Sequence, residues 1–450
     1  MRADLIARYG EQRLPRYTSY PTAPHFHAAV GAATYAEWLG TVPETSVGSI
    51  YVHVPFCRRM CWYCGCNTSV TRRDAPIVAY ANMLLAEIDL VASRLGRRMP
   101  VAHIHFGGGT PTIMSPRAFL DMMNALRRSF AVREDAEIAV EIDPRTLTGD
   151  MAPALATAGV NRASLGVQSL DPKVQAAINR VQTYDETARS IGWLRGAGIR
   201  QISLDLIYGL PHQTVASCIE TVERSLDLRP NRIAVFGYAH VPSFKRHQRR
   251  IEEAALPGAK ARIDQATSIA ARLVAAGYRR IGIDHYALPD DTMALVQNAG
   301  SLHRNFQGYT TDAADVLLGL GASAIGRLPQ GYVQNDAVVR AYSAAITTGG
   351  LATARGFALG AGDRVRASLI ERLMCDFRVD IDAVCRDHGH NAGDLTDVVE
   401  RLDQLQAEGI LHRRGALVEV AADAHELVRV VAASFDAYLT KTTRTHSPAV

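Results

Sequence analysis

The 450-residue sequence predicts an α/β fold: a partial (β/α)6 barrel, preceded by an N-terminal arm and followed by a smaller helical, winged-helix-like domain. Three observations carry this. Short β-rich runs recur through the first 240 residues with helix-periodic stretches between them, the mark of βαβ units on a parallel sheet with right-handed crossovers. Six such units are too few to close an eight-stranded barrel. Beyond about residue 250 the alternation stops, and from Asp363 the pattern reads as helices followed by a two-stranded wing.

The expected strands are SIYVHVPF (49–56), VAHIHFGGG (101–109), AEIAVEIDP (136–144), RASLGVQS (162–169), QISLDLIYGLP (201–211) and RIAVFGYAHVP (232–242). Helical periodicity marks 80–95 and 116–130, the second placing Phe119, Met122, Met123, Leu126 and Phe130 on one face at three- and four-residue steps. A further helix is expected over 259–276, then a polar, aromatic loop over 301–311. The chain is expected to divide into 1–48 ahead of the first strand, 49–360 for the barrel and its extension, and 361–450 for the helical domain; the family resemblance set out below implies that 1–48 is an arm over the active site. In such architectures ligands bind at the carboxyl ends of the strands, where the segments GGGTPT, EIDP, VQS, DLIYGLP and YAHVP fall.

Composition narrows the class. Hydrophobic residues make up 48%, charged residues 21%, and the net charge is +4, which gives no case for a nucleic-acid partner. The N-terminus carries scattered charges and no apolar h-region, and no run of about 18 apolar residues suggests a membrane span. A cytoplasmic, reducing setting is expected, in which clustered cysteines serve as metal ligands or reactive thiols instead of disulfides.

Four of the seven cysteines lie in PFCRRMCWYCGC (55–66). Cys57, Cys61 and Cys64 follow a C-x3-C-x2-C spacing, with Cys66 two residues on. A structural zinc site calls for a second ligand pair, and none is present; Cys218, Cys375 and Cys385 stand alone and read as buried residues. A redox dithiol at Cys61 and Cys64 would leave Cys57 and Cys66 over. Three thiolates can hold three irons of a [4Fe–4S] cube and leave the fourth open to a substrate or cosubstrate. Spacing favours iron–sulfur and leaves zinc open.

The cysteine spacing, with Tyr63 before the third thiol, resembles the signature of radical S-adenosylmethionine enzymes, and GGGTP (107–111) resembles their second motif. PRYTSYPT (15–22), YVHVPFC (51–57), CGCN (64–67), HFGGGTPT (105–112), EIDPR (141–145), GVQS (166–169), DLIYGLP (205–211), DHYA (284–287) and HRNFQGYTT (303–311) are similar to the oxygen-independent coproporphyrinogen III oxidase family across essentially the whole chain. The arm, CGCN and HRNFQGYTT separate it from haem-chaperone-like paralogues. The resemblance implies decarboxylation of the ring A and B propionates of coproporphyrinogen III to vinyls, giving protoporphyrinogen IX in haem biosynthesis, by a 5′-deoxyadenosyl radical from S-adenosylmethionine.

By the same resemblance Cys57, Cys61 and Cys64 hold the cluster, and Cys66 does not. Tyr51 and Tyr63 flank the cofactor, Gly108, Gly109 and Thr110 contact its methionine part, and Glu141, Gln168, Arg180 and Asp205 fall at cofactor-binding positions. Ala239 and Ile325 match positions packed around a bound cofactor, of which one or two molecules are implied. Tyr17 and Tyr20 of the arm, with Arg16, and His303 and Arg304 of the polar loop are the candidates to meet a tetra-anionic substrate. A flavodoxin or ferredoxin is implied as low-potential electron donor, to a monomeric enzyme. The rivals are a haem chaperone, another radical enzyme, and a DNA-binding regulator, against which the mixed charge of 363–450 argues.

Overall fold

The computed structural model describes residues 5, 8–10 and 12–439. Six parallel strands form its centre: β1 (Gly48–Val54), β2 (Pro100–Gly108), β3 (Ala131–Ile142), β4 (Arg162–Gln168), β5 (Gln201–Tyr208) and β6 (Arg232–Gly237), each paired with the next. Helices Ala75–Leu95, Pro116–Ser129, Met151–Thr157, Tyr184–Gly196 and Val215–Asp227 connect or follow these strands, as the alternation predicts. The expected boundaries hold to within a few residues at most ends; β3 begins earlier, at Ala131, and β5 and β6 end earlier, at Tyr208 and Gly237.

A seventh parallel strand, Val316–Leu320, lies on the free side of β1, although more than 260 residues separate them in sequence. Ile325–Leu328, Gly331–Asn335 and Thr353–Ala358 extend that edge antiparallel. His285–Ala287 and Arg279–Ile281 do so beyond β6. The two ends of this twelve-stranded sheet do not pair, so the barrel is open.

Period-two alternation divides each strand between two environments. Glu137, Ala139 and Glu141 of β3, Arg162, Ser164, Gly166 and Gln168 of β4, and Ser203 and Asp205 of β5 line the interior. Between them Ile138, Val140, Leu165, Val167 and Leu204 pack outward into the main hydrophobic core under the helices. The barrel is therefore apolar outside and polar within. Near the start of the strands Arg162 joins Glu137 at 3.0 Å, and Arg232 joins Asp291 at 2.7 Å, so the charged residues at this end of the cavity are paired.

Helix Ala75–Leu95 is long and apolar enough to cross a membrane by length and composition, where no such run was expected. Its Ile77, Leu84, Ile88 and Val91 are buried in the core, and its Glu87 accepts from Gly321 N–H, Asn335 and Tyr342. These contacts make it the inner helix of the sheet.

The C-terminal region has its own core, built on Val365, Leu369, Leu373, Leu402, Leu427 and Phe435. Its wing has three strands, not two: Arg378–Asp380 pairs with Leu417–Val420, which pairs with Leu411–Arg414. Three residues are too few to display a period. The arm shares this core through Leu5, Tyr9, Leu14, Tyr17 and Tyr20. The expected loop at 301–311 contains a hairpin, His303–Asn305 against Gly308–Thr310.

Candidate active site

The barrel encloses a cavity of about 350 Å³ that runs from the starts of its strands, at Ser49, Arg162 and Arg232, to their carboxyl ends, within the size of a small-molecule site. The cysteine loop forms its mouth. Phe56–Cys57 pairs with Ser69–Val70 and closes the loop at its base. The loop's backbone is tied down along its length: Trp62 N–H donates to Ile178 O at 2.9 Å, Asn179 donates to Met60 O at 2.8 Å, and Gln248 donates to Tyr63 O at 3.0 Å. His247 Nε2 reaches Cys64 O at 2.8 Å and Lys245 Nζ reaches Cys66 O at 3.0 Å. The segment 245–248 thus latches the loop, a role with no sequence signal, since its partners are carbonyls.

Cys57, Cys61 and Cys64 all line the cavity, and no disulfide ties any of them. Thr110 Oγ1 lies 3.4 Å from Cys57 Sγ, while Arg145 Nη2 and Arg180 Nη1 stand 3.4 and 3.5 Å from Cys61 Sγ. Burial pushes the Cys57 thiol up to about 12, against the Thr110 hydrogen bond. Such a thiol surrenders its proton on binding a metal, whose charge outweighs the burial. Among the described residues no three His, Cys, Asp or Glu side chains converge on a single ion-sized point. Cys57, Cys61 and Cys64 share only the lining of the larger cavity.

The glycine run lets backbone and side chains approach closely. Gly109 N–H donates to Val54 O at 2.8 Å, and a Cβ there would stand 2.6 Å from Phe56 O. Gly108 adopts φ +112°, and a Cβ would meet the His53 ring at 2.6 Å. Its N–H donates to Glu141 Oε2 at 3.1 Å, and His105 Nε2 meets Glu141 Oε1 at 3.1 Å. Burial opposes the charge on Glu141, but the His105 hydrogen bond and the Gly108 N–H outweigh it and hold the acid below its ordinary range.

Asp205 accepts from Ser164 Oγ at 3.1 Å through both oxygens. Burial first, then the charge of Glu141, push it up to about 6. Arg180 donates to Gly166 O and lies 3.5 Å from Asp143. Burial opposes its charge, but Tyr63, Asp143 and Cys61 outweigh that and raise it. Gln168 sits at φ +68°, a left-handed conformation rare without a glycine.

Gln168 Oε1 and Arg180 Nε are buried and lack hydrogen-bond partners, although both residues line the cavity. Buried polar atoms without partners carry a cost that a bound ligand relieves. With three free thiols at the same cavity, the residues fit a thiolate-ligated cluster and a polar cosubstrate beside it.

Of the expected residues, Cys57, Cys61, Tyr63, Cys64, Gly108, Gly109, Thr110, Glu141, Gln168, Arg180 and Asp205 meet here. Tyr51 stands one layer back, its hydroxyl 2.9 Å from His53 Nδ1 and its ring stacked on His105. Ala239 and Ile325 do not line the cavity. Tyr17 and Tyr20 point elsewhere: Tyr17 donates to Asp436 at 3.1 Å and Tyr20 Oη accepts from Ala437 N–H at 2.9 Å. They seat the arm on the C-terminal region. His303 meets Glu371 at 3.3 Å, and Arg304 lies over the Tyr309 ring at 4.4 Å. The hairpin reaches the cavity through Gln307, Tyr309 and Thr310. Arg145 and Asp143, within EIDPR, were assigned no role from the sequence, because only the fold brings them to Cys61.

Residues 51–224 match the model of the radical SAM superfamily. The oxygen-independent coproporphyrinogen III oxidase of Bradyrhizobium diazoefficiens is 57% identical over 450 residues, all of both chains. That of Pseudomonas aeruginosa is 39% identical over 441 residues, covering 97% of this chain and 96% of its own. The solved coproporphyrinogen III oxidase HemN of Escherichia coli, described as a radical SAM enzyme, superposes with a TM-score of 0.90 at 36% identity, covering 95% of this chain and 100% of its own.

Proposed function

The chain belongs to the oxygen-independent coproporphyrinogen III oxidase family of the radical SAM superfamily, and from that membership we propose how its residues serve the reaction. It is an oxidoreductase that converts the ring A and B propionates of coproporphyrinogen III to vinyls, giving protoporphyrinogen IX. The observation that carries the residue assignment is the meeting of the three thiols, the glycine run and the Glu141, Gln168, Arg180 and Asp205 side chains in one cavity.

When bound, the [4Fe–4S] cluster and S-adenosylmethionine supply a 5′-deoxyadenosyl radical able to take a hydrogen atom from a propionate β-carbon. Cys57, Cys61 and Cys64 would hold the cluster, and Cys66, which lines the same cavity with its thiol hydrogen-bonded to that of Cys64, is the thiol left over. Thr110 lies beside the Cys57 thiol, and with Gly108 and Gly109 it would receive the methionine part, while the Glu141 carboxylate, held by Gly108 N–H and His105, would suit its ammonium group. Asp205, supported by Ser164, suits ribose hydroxyls. Tyr63 lies in the cysteine loop beside them, and Ala239 and Ile325 lie outside the cavity lining.

Each turnover removes one hydrogen atom, one carbon dioxide and one electron from a propionate, leaving a vinyl group. The protein's share is orientation and exclusion of water. The arm and the 303–310 hairpin provide that cover: Arg16 donates to Gly237 O at 3.2 Å, and Arg304 donates to Arg16 O at 3.4 Å. We read 1–48 as the arm over the site, 49–360 as the barrel with its extension, and 361–450 as the domain that seats the arm. The enzyme works as a cytoplasmic monomer supplied by flavodoxin or ferredoxin; seven free cysteines accord with a reducing setting.

Anaerobic reconstitution with iron and sulfide, followed by reaction with S-adenosylmethionine, reductant and coproporphyrinogen III, tests this. The expected products are 5′-deoxyadenosine, carbon dioxide and protoporphyrinogen IX. A fully loaded protein that binds haem but forms no vinyl product would be a chaperone instead.

A further inference from the structure

A second, smaller chamber of about 90 Å³ lies beside the main cavity. It is below the size of a small-molecule site and suits a side arm of a larger ligand. Arg16, Arg262, Arg280, Arg304 and Arg429 line it, against two carboxylates, Asp284 and Glu426. The two acids compensate only part of this charge: Glu426 pairs with Arg280 at 3.0 Å, and Asp284, 2.7 Å from His285 Nδ1, also feels Arg304 and Arg16, so five guanidiniums face two carboxylates and three are in excess. Arg304 Nε and Nη1 are shut off from solvent with no hydrogen-bond partner. Arg262 makes a cation–π contact with Tyr208 at 5.9 Å. Burial and then the charge of Arg16 push Arg429 down to about 10, and burial lowers Arg262. Five guanidiniums gathered at so small an opening are stabilised by an anion.

The chamber adjoins the reaction cavity across a wall one residue thick. Phe236 lines both spaces, and His285, the partner of Asp284, lines the main one. Arg304 rests on Tyr309, which also faces the main cavity. The guanidiniums come from the arm, the helix Ala259–Ala275, the edge strand Arg279–Ile281, the hairpin His303–Asn305 and the C-terminal helix Val428–Ala432. An anion here would join elements that cover the barrel mouth.

We propose that this chamber is a carboxylate subsite, taking a propionate arm of the tetracarboxylate porphyrinogen other than the one that reacts. This rests on the decarboxylase reading and adds the place where a non-reacting carboxylate is gripped. The subsite selects porphyrinogens that carry an unreacted propionate at the gripped position, and it draws the arm and the C-terminal region onto the substrate.

The test is fluorescence titration of the anaerobic holoenzyme, without reductant, using coproporphyrin III and its tetramethyl ester. Arg262→Gln should weaken coproporphyrin binding at least tenfold, Arg262→Lys less, with ester and S-adenosylmethionine binding unchanged. Equal affinity for coproporphyrin in Arg262→Gln, or equal loss for the ester and S-adenosylmethionine, would overturn the subsite. So would inorganic phosphate that binds the chamber by calorimetry without displacing coproporphyrin. Turnover separates the two levels: wild-type protein that forms no vinyl product fails the reading itself. Active wild type, with Arg262→Gln matching its KM, fails only the subsite.

Discussion

Arg145 holds its guanidinium 3.4 Å from the sulfur of Cys61 while Asp143, two residues earlier, grips the same group at 2.9 and 2.7 Å. Asp143 also meets Arg180, which reaches the same sulfur at 3.5 Å. One carboxylate therefore holds two cations at the sulfur of Cys61, a proposed cluster ligand. Hydrogen bonds to ligand sulfurs stabilise the more negative, reduced cluster and raise its potential. Arg145→Gln is expected to lower the midpoint potential by roughly 50 mV with iron content retained, as read by EPR-monitored redox titration. An unchanged potential would make Arg145 a packing residue only.

Removing the carboxylate leaves two guanidiniums uncompensated in a largely buried place. Asp143→Asn should therefore cost about 3–5 kcal/mol of stability, read from urea unfolding. A loss below about 1 kcal/mol would mean that water takes over the role of the carboxylate.

At Gly109 a methyl group meets backbone, which cannot swing aside: Phe56 O and N stand 2.6 and 2.8 Å from the added Cβ. Gly109→Ala should displace the strand end from the cysteine loop, costing about 1–3 kcal/mol and weakening S-adenosylmethionine binding at least tenfold. Equilibrium dialysis with the reconstituted protein measures the second effect.

Glu87 gives a pH signature remote from the site. Burial raises its carboxyl from 4.5 to about 7, against hydrogen bonds from Tyr342, Gly321 and Asn335. Between those values the folded state holds a proton that the unfolded state has lost. Stability is thus highest below about pH 4.5 as far as this group is concerned, and it falls by about 3 kcal/mol as pH rises through 7. Glu87→Gln should flatten that slope when urea midpoints are compared between pH 5.5 and 8.

The three proposed ligands and Cys66 are told apart by iron analysis. Serine at Cys57, Cys61 or Cys64 should abolish cluster assembly, whereas Cys66→Ser should retain four irons per chain. Loss of iron in Cys66→Ser would make it a ligand.

The barrel was legible because its strands alternate polar and apolar residues and its loops carry polar punctuation at one end. Eleven of the expected site residues meet in one cavity, and most of them lie near or just after a strand's carboxyl end; Asp205 lies within its strand and Arg180 follows the helix Pro172–Ala177. Val316–Leu320 was missed because five residues next to a glycine-rich turn show no period, and its partner is β1, far away in sequence. The hairpin at 303–310 lacks apolar alternation, so HRNFQGYTT reads as a loop. Arg16, Arg262, Arg280, Arg304 and Arg429 could not be grouped from sequence, since five separate elements bring them together. Tyr17 and Tyr20 looked like site residues beside Arg16, but the chain turns so that Arg16 alone of the three faces a cavity.

The central claim is hydrogen removal from a propionate β-carbon in this cavity. It is tested most directly with coproporphyrinogen III deuterated at those carbons, under anaerobic turnover with the loaded enzyme. Mass spectrometry should find one deuterium in the 5′-deoxyadenosine for each vinyl group formed. Vinyl product accompanied by unlabelled 5′-deoxyadenosine, or by none, would contradict the account.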